Sequence, residues 1–265
     1  MNIKFSIDKS YQQFVINLAV RKSPILKFYL TYFWQPKPNT LPYFIEHFAK
    51  KNNIIKFSFL QIGANNGYQH DPMFKLLQRN PHWQGILVEP QKDVFVHQLL
   101  PLYEQYENLQ LVNAAIAPAN GYLPFYKIAF SNERWATGLA SFDRKTIEKH
   151  IQSGYIEQQA HKQGVPLPKN LADYITTEQV TCISFESLIK QYSISQLDLL
   201  LIDTEGFDFE ILKMIDFAKF KPQLIAFEYI HLSPQDLTDC KKLLHGNNYE
   251  LCQIGRDLVA SRQGI

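Results

Sequence analysis

The sequence predicts an α/β fold built on a mostly parallel sheet that helices cover on both faces. Short apolar runs such as Phe57–Ile62 and Gly85–Val88 alternate with helical patterns along much of the chain. These runs are continuously apolar rather than alternating, which indicates strands that are buried on both faces. Near the C-terminus, the runs Tyr249–Ile254 and Leu258–Ser261 lie so close together that they predict a hairpin.

The composition is that of a globular protein with one sizeable core. Of the 265 residues, 46% are hydrophobic, and the formal net charge of +2 is too small to predict a nucleic-acid partner. The three cysteines are scattered along the chain and odd in number. This pattern favours reduced thiols and a cytoplasmic location over a disulfide framework.

Residues 1–53 are expected to form an N-terminal helical extension that breaks at Pro36-Lys37-Pro38. Polar residues interrupt the start of the chain, where a signal peptide would need an unbroken apolar region. The apolar segment 14–34 contains Arg21 and Lys22, so no transmembrane helix is expected. This segment is expected to cover the core, to form a homodimer contact or to act as a substrate lid. Binding to a membrane surface is a further alternative.

Residues 54–265 are expected to form the main domain, whose first part holds the first three strands of the sheet. Apolar runs mark the strands, and helical patterns follow the first two of them. The expected order is strand Phe57–Ile62, helix Asp71–Arg79, strand Gly85–Val88, a helix that ends at Tyr106, and strand Leu109–Ile116.

The alternation then pauses at an expected insertion, residues 131–178. Gly121–Ala129 is predicted to add a strand before the insertion, and a helix is predicted within it from Arg144 to about His161. The insertion is rich in charged and turn-forming residues. It is therefore expected to shape a substrate pocket rather than to form a separate domain.

After the insertion the alternation resumes and ends in the hairpin. The expected elements are strand Val180–Ile183, helix Phe185–Tyr192 with Ser184 as N-cap, strand Leu197–Ile202, a helix from about Phe207, strand Leu224–Phe227, and a helix from Ser233-Pro234. With the hairpin, the main sheet would have seven strands, of which the last is antiparallel to its neighbour. This arrangement is typical of the Rossmann-like class I S-adenosylmethionine-dependent methyltransferase fold.

Ligands of open α/β sheets bind outside the carboxyl ends of the strands, so the residues that end each run form the candidate site. The first strand is followed by a glycine turn made of Gly63, Ala64, Asn65, Asn66 and Gly67. A turn between a first strand and a helix often holds a cofactor, which makes these residues candidate cofactor contacts. The structural alternative is a tight turn that needs glycine at positive φ and asparagines as turn formers.

Two further strands end in candidate cofactor ligands. Glu89 follows the second strand, where a carboxylate can accept hydrogen bonds from both hydroxyls of a ribose. Asn113 lies at the third strand, where its amide can pair with an adenine edge. The alternatives are a plain strand-end acid for Glu89 and turn chemistry for Asn113.

Acidic residues are densest in the segment IDTEGFDFEIL, residues 202–212. The helix dipole accounts for Glu205 and Asp208 near a helix N-terminus. It accounts less well for Asp203, which directly follows the buried strand. Asp203 is a candidate to face the positive sulfonium of a cofactor or to order the substrate. Glu205 is a further candidate catalytic residue.

Glu228 and His231 follow the next strand on the same sheet edge. Histidine is the usual general base near neutral pH, so His231 is the candidate base and Glu228 a candidate catalytic partner. The structural alternative for His231 is an ordinary surface or core histidine, since the chain has eight. His70 and Asp71, just past the glycine turn, are expected to line the pocket or to cap the next helix.

Several of these segments together resemble the FkbM-type methyltransferases. The matching stretches run in order along most of the chain: IGANNGYQHDP (62–72), GILVEPQ (85–91), NAAIA (113–117), ASFDR (140–144), ISFESLI (183–189), LLLIDTEGFDFEIL (199–212) and DLVA (257–260). The combination of IDTEG with GANNG and VEP is fairly specific, whereas each segment alone would be weak.

The resemblance implies S-adenosylmethionine as cofactor and O-methylation of a hydroxyl on a sugar, glycan or secondary metabolite by in-line methyl transfer. It also implies that Gly63–Gly67 holds the methionine part of the cofactor and Glu89 the ribose. Asp203 and Glu205 would then lie at the methyl-transfer end. The insertion is expected to select the acceptor, a small molecule or a glycan.

Three alternatives stay open. An NAD-dependent oxidoreductase also combines a Rossmann-like sheet with a ribose-binding acid, although the incomplete glycine pattern and the terminal hairpin disfavour it. A non-catalytic, methyltransferase-like scaffold module is the second alternative. The third adds a divalent metal, such as magnesium, held by Asp203 with Glu205 or Glu228.

Overall fold

The computed structural model describes residue 11 and residues 13–262. The start of the predicted N-terminal extension, residues 1–10 and residue 12, lies outside the described part, as do residues 263–265. Within the described part, no helix has both the length and the apolar character needed to cross a bilayer.

The main sheet has seven strands: β1 Ser58–Ile62, β2 Gln84–Val88, β3 Leu109–Val112, β7 Leu199–Ile202, β8 Leu224–Glu228, β9 Glu250–Ile254 and β10 Asp257–Ser261. Their order across the sheet is β3-β2-β1-β7-β8-β10-β9. The pairs from β3 to β8 are parallel, and β10 is antiparallel to both β8 and β9. The predicted parallel sheet with a terminal antiparallel hairpin is therefore confirmed.

A second sheet holds β4 Ala115–Ile116, β5 Gly121–Ile128 and β6 Ile175–Ile183, in the order β4-β6-β5. The helices are α1 (residues 13–20), α2 Pro24–Tyr32, α3 Leu41–Lys51, α4 Phe74–Arg79, α5 Lys92–Val94, α6 Leu100–Tyr103, α7 Arg134–Thr137, α8 Arg144–Gln152, α9 Tyr155–Gln163, α10 Phe185–Gln191, α11 Asp208–Lys213 and α12 Pro234–Gly246. A π-helical turn, Phe95–Leu99, joins α5 to α6, and a short 3-10 helix, Leu171–Tyr174, precedes β6.

Both faces of the main sheet are covered, because successive strand residues point to opposite sides. On one face, Leu199 and Leu201 of β7 pack in a cluster with residues of α2, α3 and α4. On the other face, Leu200 and Ile202 pack with residues of α10, α11 and α12. Full burial of an aliphatic side chain contributes about 1.5–3 kcal/mol, so these two clusters supply much of the folding free energy.

The N-terminal helices belong to this packing. Leu26 and Leu30 of α2, with Ile45 and Phe48 of α3, lie in the same cluster as the sheet residues. The extension thus covers the core, as one of the sequence alternatives expected. The domain boundary near residue 53 stays a prediction.

The prediction of one strand over Leu109–Ile116 is wrong. β3 pairs with β2 as far as Val112, after which Ala115 and Ile116 pair with β6 of the second sheet. The Asn113 side chain donates hydrogen bonds to the carbonyls of Glu89 (2.8 Å) and Pro90 (3.2 Å), and the chain changes sheets at this point. Both halves of the run contain buried apolar residues, so their apolar character did not reveal the change.

The prediction of one helix from Arg144 to His161 is also wrong, because α8 and α9 are separate helices. Between them Gly154 has a φ of +71°, a left-handed conformation that an α-helix does not continue through. The two helices pack with β5 and α7 around Ile147 and Ile156 in a small core of their own. The insertion helices therefore pack against the second sheet.

Candidate functional site

A cleft lies at the carboxyl edge of β1, β2 and β7, where the sequence placed the site. It encloses about 570 Å³ when the solvent space at its open mouth is counted. Gly63, Asn65, Glu89, Asp203 and Glu205 are the predicted site residues that line it. The insertion supplies the facing wall, with Arg134, Thr137, Gly138, Ala140 and Phe142.

Backbone packing explains why position 63 must be glycine. Gly63 has a φ of +83°, and a Cβ atom there would lie 1.8 Å from the carbonyl oxygen of Asp203. The missing side chain thus lets the end of β1 lie directly against the end of β7 and leaves the cleft floor bare. Gly67, with a φ of +71°, would clash with Leu99 and Tyr103, and it does not line the cleft.

The residues between the two glycines divide into one that faces the cleft and two that do not. Asn65 lines the cleft, and its side-chain oxygen accepts hydrogen bonds from the Asn66 N–H (2.9 Å) and the Thr137 hydroxyl (3.1 Å). Asn66 is buried and accepts from the Gln69 N–H (3.1 Å), as a turn former does. Ala64 is buried as well, and neither it nor Asn66 lines the cleft.

Glu89 is 2% exposed and lies beside the glycine turn. Its Oε2 accepts from the Asn65 N–H at 2.8 Å, and its Oε1 accepts from the N–H and the side-chain amide of Gln91 at 2.9 and 3.2 Å. Burial raises the pKa of Glu89 to about 7, against the lowering effect of these bonds. A carboxylate has about four acceptor positions, and these bonds occupy three of them. One position is left for a ribose hydroxyl, and a second would become free if the Gln91 amide moved aside.

Asn113 does not line the cleft. Its amide group is turned to the carbonyls at the end of β2, as described above, which is the structural alternative for this residue. The apolar part of the cleft comes instead from neighbouring side chains such as Ala114, Ile116 and Phe125. The adenine contact of Asn113 stays a prediction.

Asp203 lies directly after β7, and its N–H still donates to the Ile62 carbonyl at 2.9 Å. Its side chain is 40% exposed, with an Arg134 nitrogen 3.9 Å from its carboxylate. The pKa of Asp203 is raised well above its ordinary value by burial of the carboxyl and then by the charges of Glu205 and Asp208, while Arg134 opposes the rise. Because the side chain is partly accessible, water in the cleft moderates this shift.

Asp208 and Asp71 hold turns rather than face the cleft. Asp208 is fully buried and accepts from the Thr204 hydroxyl (3.0 Å) and the Gly206 N–H (3.2 Å), and its burial raises its pKa to about 7. Asp71 accepts from the N–H groups that begin α4 and from the Gln61 amide. The capping interpretation of Asp71 is therefore the correct one.

Glu205, Glu228 and His231 come together beyond the Asp203 end of the cleft. His231 Nε2 lies 3.2 Å from a Glu205 oxygen and 3.0 Å from a Glu228 oxygen, while Arg256 lies 3.1 Å from the other Glu228 oxygen. Glu205 has a φ of +52°, an unusual conformation for a residue with a side chain. The turn after β7 thus aims Glu205 at residues that follow β8.

The surroundings of His231 oppose its predicted role as general base. Contact with Glu205, and then with Glu228, raises the pKa of His231 to about 10, although burial acts in the opposite direction. At neutral pH the ring is then protonated and has no lone pair to accept a proton. Sequence order alone did not reveal that two carboxylates flank this ring.

Other site residues come from the insertion, where no motif marked them. Arg134 lies on α7 and lines the cleft, and Thr137 on the same helix bonds to Asn65. His150 of α8 has its ring 6.4 Å from that of His231. Burial raises the pKa of Tyr155 on α9, and the nearby charge of Glu205 raises it further. Helices α8 and α9 therefore border the acidic end of the cleft.

Comparison with known proteins gives one family match. A sequence model described as the Methyltransferase FkbM domain matches residues 61–251, which is more than half of the chain. The matched range contains the glycine turn, Glu89 and the acidic segment 202–212. No curated protein sequence matches the chain significantly.

Solved methyltransferase structures share parts of the fold at low similarity. An O-methyltransferase from Bacillus cereus, in complex with SAH, has 7% identity and a TM-score of 0.41, over 95% of this chain and 97% of that one. A precorrin-6y C5,15-methyltransferase from Geobacter metallireducens has 11% identity and a TM-score of 0.38, over 86% of this chain and 93% of that one. Because these scores are low, no conclusion about the site follows from them.

Proposed function

We propose a specific reaction for this chain, which belongs to the FkbM methyltransferase family: O-methylation of a hydroxyl on a sugar, glycan or secondary metabolite, with S-adenosylmethionine as methyl donor. The observation that carries the proposal is the cleft at the sheet edge. One end of it has the glycine turn and Glu89, and the other has Asp203 and Glu205.

The cofactor would lie along the cleft between these two ends. Glu89 would accept a hydrogen bond from a ribose hydroxyl, and the apolar wall near Ile116 would cover the adenine. The bare backbone at Gly63 would allow the methionine part to pass close to the sheet. At the far end, the Asp203 carboxylate would face the positive sulfonium, an attraction that is stronger in a cleft than in bulk water.

The acceptor would enter between the cofactor and the insertion. Helices α8 and α9 border Glu205 and carry His150 and Tyr155, which supply polar contacts for hydroxyl groups. Arg134 adds a positive charge to the same wall. This arrangement supports the insertion as the segment that selects the acceptor.

In the reaction, the acceptor oxygen forms a bond to the methyl carbon as the carbon–sulfur bond breaks. The electron pair of that bond stays on sulfur and gives the neutral thioether. Alignment of the reacting atoms can contribute up to about 7–11 kcal/mol. The hydroxyl proton would pass to Glu205, which lines the cleft, while the protonated His231 ring holds that carboxylate in place.

Calorimetry with S-adenosylhomocysteine tests the proposal without knowledge of the acceptor. We expect one bound molecule per chain, and Glu89→Ala should weaken binding by about 100-fold because a buried charged acceptor is lost. Asp239→Ala is the control, since Asp239 is an exposed acid on α12 that pairs with Lys242. NADH binding without a response to S-adenosylhomocysteine would refute the proposal and support an oxidoreductase.

A further inference from the structure

The cluster of Glu205, Glu228 and His231 has a geometry that a simple ion pair does not explain. Nε2 of His231 is inaccessible to solvent and makes no properly directed hydrogen bond, although two carboxylate oxygens lie 3.0 and 3.2 Å away. Both oxygens are thus beside the ring nitrogen rather than in line with its N–H. A buried polar atom without a directed partner calls for an explanation.

We propose that Glu205, Glu228 and His231 bind a divalent transition-metal ion such as Mn²⁺ or Zn²⁺, which displaces the proton from Nε2 of His231 when it binds. One atom from each residue takes part, and the three atoms lie within 4.8 Å of one another. Neighbouring ligands about 2.1 Å from an ion are about 3.0 Å apart in octahedral coordination and about 3.4 Å apart in tetrahedral coordination. The two nitrogen–oxygen separations, 3.0 and 3.2 Å, lie in this range, and the two carboxylate oxygens are within 4.8 Å of each other.

The type of ligand decides which ions fit. An imidazole nitrogen with two carboxylate oxygens suits Mn²⁺, Fe²⁺, Co²⁺ or Zn²⁺, whereas Mg²⁺ and Ca²⁺ prefer oxygen ligands throughout. This cluster differs from the sequence alternative, which paired Asp203 with Glu205 or Glu228 and favoured magnesium. Asp203 is not among the three converging residues.

Two features hold the ligands in these positions. Glu205 reaches the cluster through its left-handed conformation, next to Gly206 with a φ of +104°. Glu228 ends β8, and its second oxygen is held by Arg256 at 3.1 Å. An orienting contact of this kind is common around metal ligands, because it fixes the carboxylate that binds the ion.

The site would place a cation at the end of the cleft where the acceptor reacts. There it would polarise the acceptor hydroxyl and favour loss of its proton. This role rests on the proposed function, whereas ion binding itself does not. The two are therefore tested separately.

The test is a titration of the full chain with Mn²⁺, in which binding is measured by calorimetry and by electron paramagnetic resonance. We expect one ion per chain, a pulsed-resonance coupling to one imidazole nitrogen, and much weaker binding of Mg²⁺. Glu228→Gln and His231→Gln should weaken Mn²⁺ binding by more than about tenfold, and His231→Gln should remove the nitrogen coupling. Glu210→Gln, an exposed glutamate paired with Lys213 at 2.7 Å, is the matched control.

Binding of S-adenosylhomocysteine shows whether each variant is folded. Glu228 and His231 do not line the cleft, so their variants should keep near wild-type affinity for it. Glu89→Ala should lose that affinity and still bind Mn²⁺, which separates failure of the proposed function from failure of the metal site. The proposal is overturned if neither Mn²⁺ nor Zn²⁺ binds, if Mg²⁺ binds equally well, or if the two cluster variants bind Mn²⁺ like the control.

Discussion

The two ends of the cleft hold their polar residues in opposite ways. At the Glu89 end, three N–H groups of Asn65 and Gln91 satisfy a buried carboxylate. At the Glu205 end, carboxylates lie near one another, and Nε2 of His231 lacks a directed partner. The first end is organised by its own backbone and suits a ligand of fixed shape. The second end holds charged groups without such directed bonds, and it is the end at which we place the proposed cation and acceptor.

The largest effect is expected from the backbone contact at the first end. Gly63→Ala should destabilise the fold by about 3 kcal/mol or more, since a Cβ atom would overlap the Asp203 carbonyl at positive φ. Urea unfolding measures this change. Gly164→Ala is the matched control, with a φ of +67° and no atom within 4 Å, and it should cost about 1 kcal/mol. Equal losses in both variants would show that φ, and not the contact between β1 and β7, matters.

At the second end, Asp203→Asn should reduce methyl transfer far more than stability. The variant keeps the shape of the side chain and removes the charge expected to face the sulfonium, so a fall in kcat of about 100-fold is predicted. Asp208→Asn should do the reverse, with a loss of about 1–3 kcal/mol in stability, because this buried carboxylate holds the turn. Kinetics and thermal unfolding of both variants measure this contrast, and similar behaviour of the two would contradict it.

The raised pKa of Glu89 predicts a pH dependence of cofactor binding. The carboxylate accepts a ribose hydroxyl better than the neutral acid does, and the pKa lies at about 7. Affinity for S-adenosylhomocysteine should therefore rise about tenfold between about pH 6 and about pH 8. Calorimetry across this range tests the prediction, with Glu89→Gln as the variant that should show no such rise. A wild-type affinity that falls with pH would contradict the assignment.

The smallest effect is expected where the insertion touches the glycine turn. The Thr137 hydroxyl donates to Asn65 at 3.1 Å, and this bond joins the two walls of the cleft. Thr137→Val should cost about 1 kcal/mol and weaken S-adenosylhomocysteine binding several-fold. Thr146→Val, on the insertion helix α8, serves as the comparison. An effect no larger than that of the comparison variant would show that the link is dispensable.

The fold and the Glu89 end could be predicted from sequence because local patterns determine them. Continuous apolar runs marked the strands, and the runs of β1, β2, β7 and β8 led to turns on the same sheet edge. The change of sheet after Val112 left no such signal, because β3 and β4 both contain buried apolar residues. Hydrogen bonds from the Asn113 side chain to the carbonyls of Glu89 and Pro90, just after β2, mark that point, and sequence patterns do not record them.

The Glu205 end could be predicted in composition but not in arrangement. The sequence showed that acids and a histidine follow β7 and β8. Their convergence depends on the left-handed backbone of Glu205, and the contribution of Arg134 depends on how the insertion packs. Both are tertiary features, so the contacts that His231 and Arg134 make could not be predicted from the sequence.

The most direct test of the account is a crystal structure of the chain with S-adenosylhomocysteine. The account predicts a ribose hydroxyl in hydrogen-bond contact with Glu89 and the sulfur atom at the Asp203 end of the cleft, facing the insertion. A ligand bound elsewhere, or one that crosses the cleft with its ribose at Asp203, would contradict it.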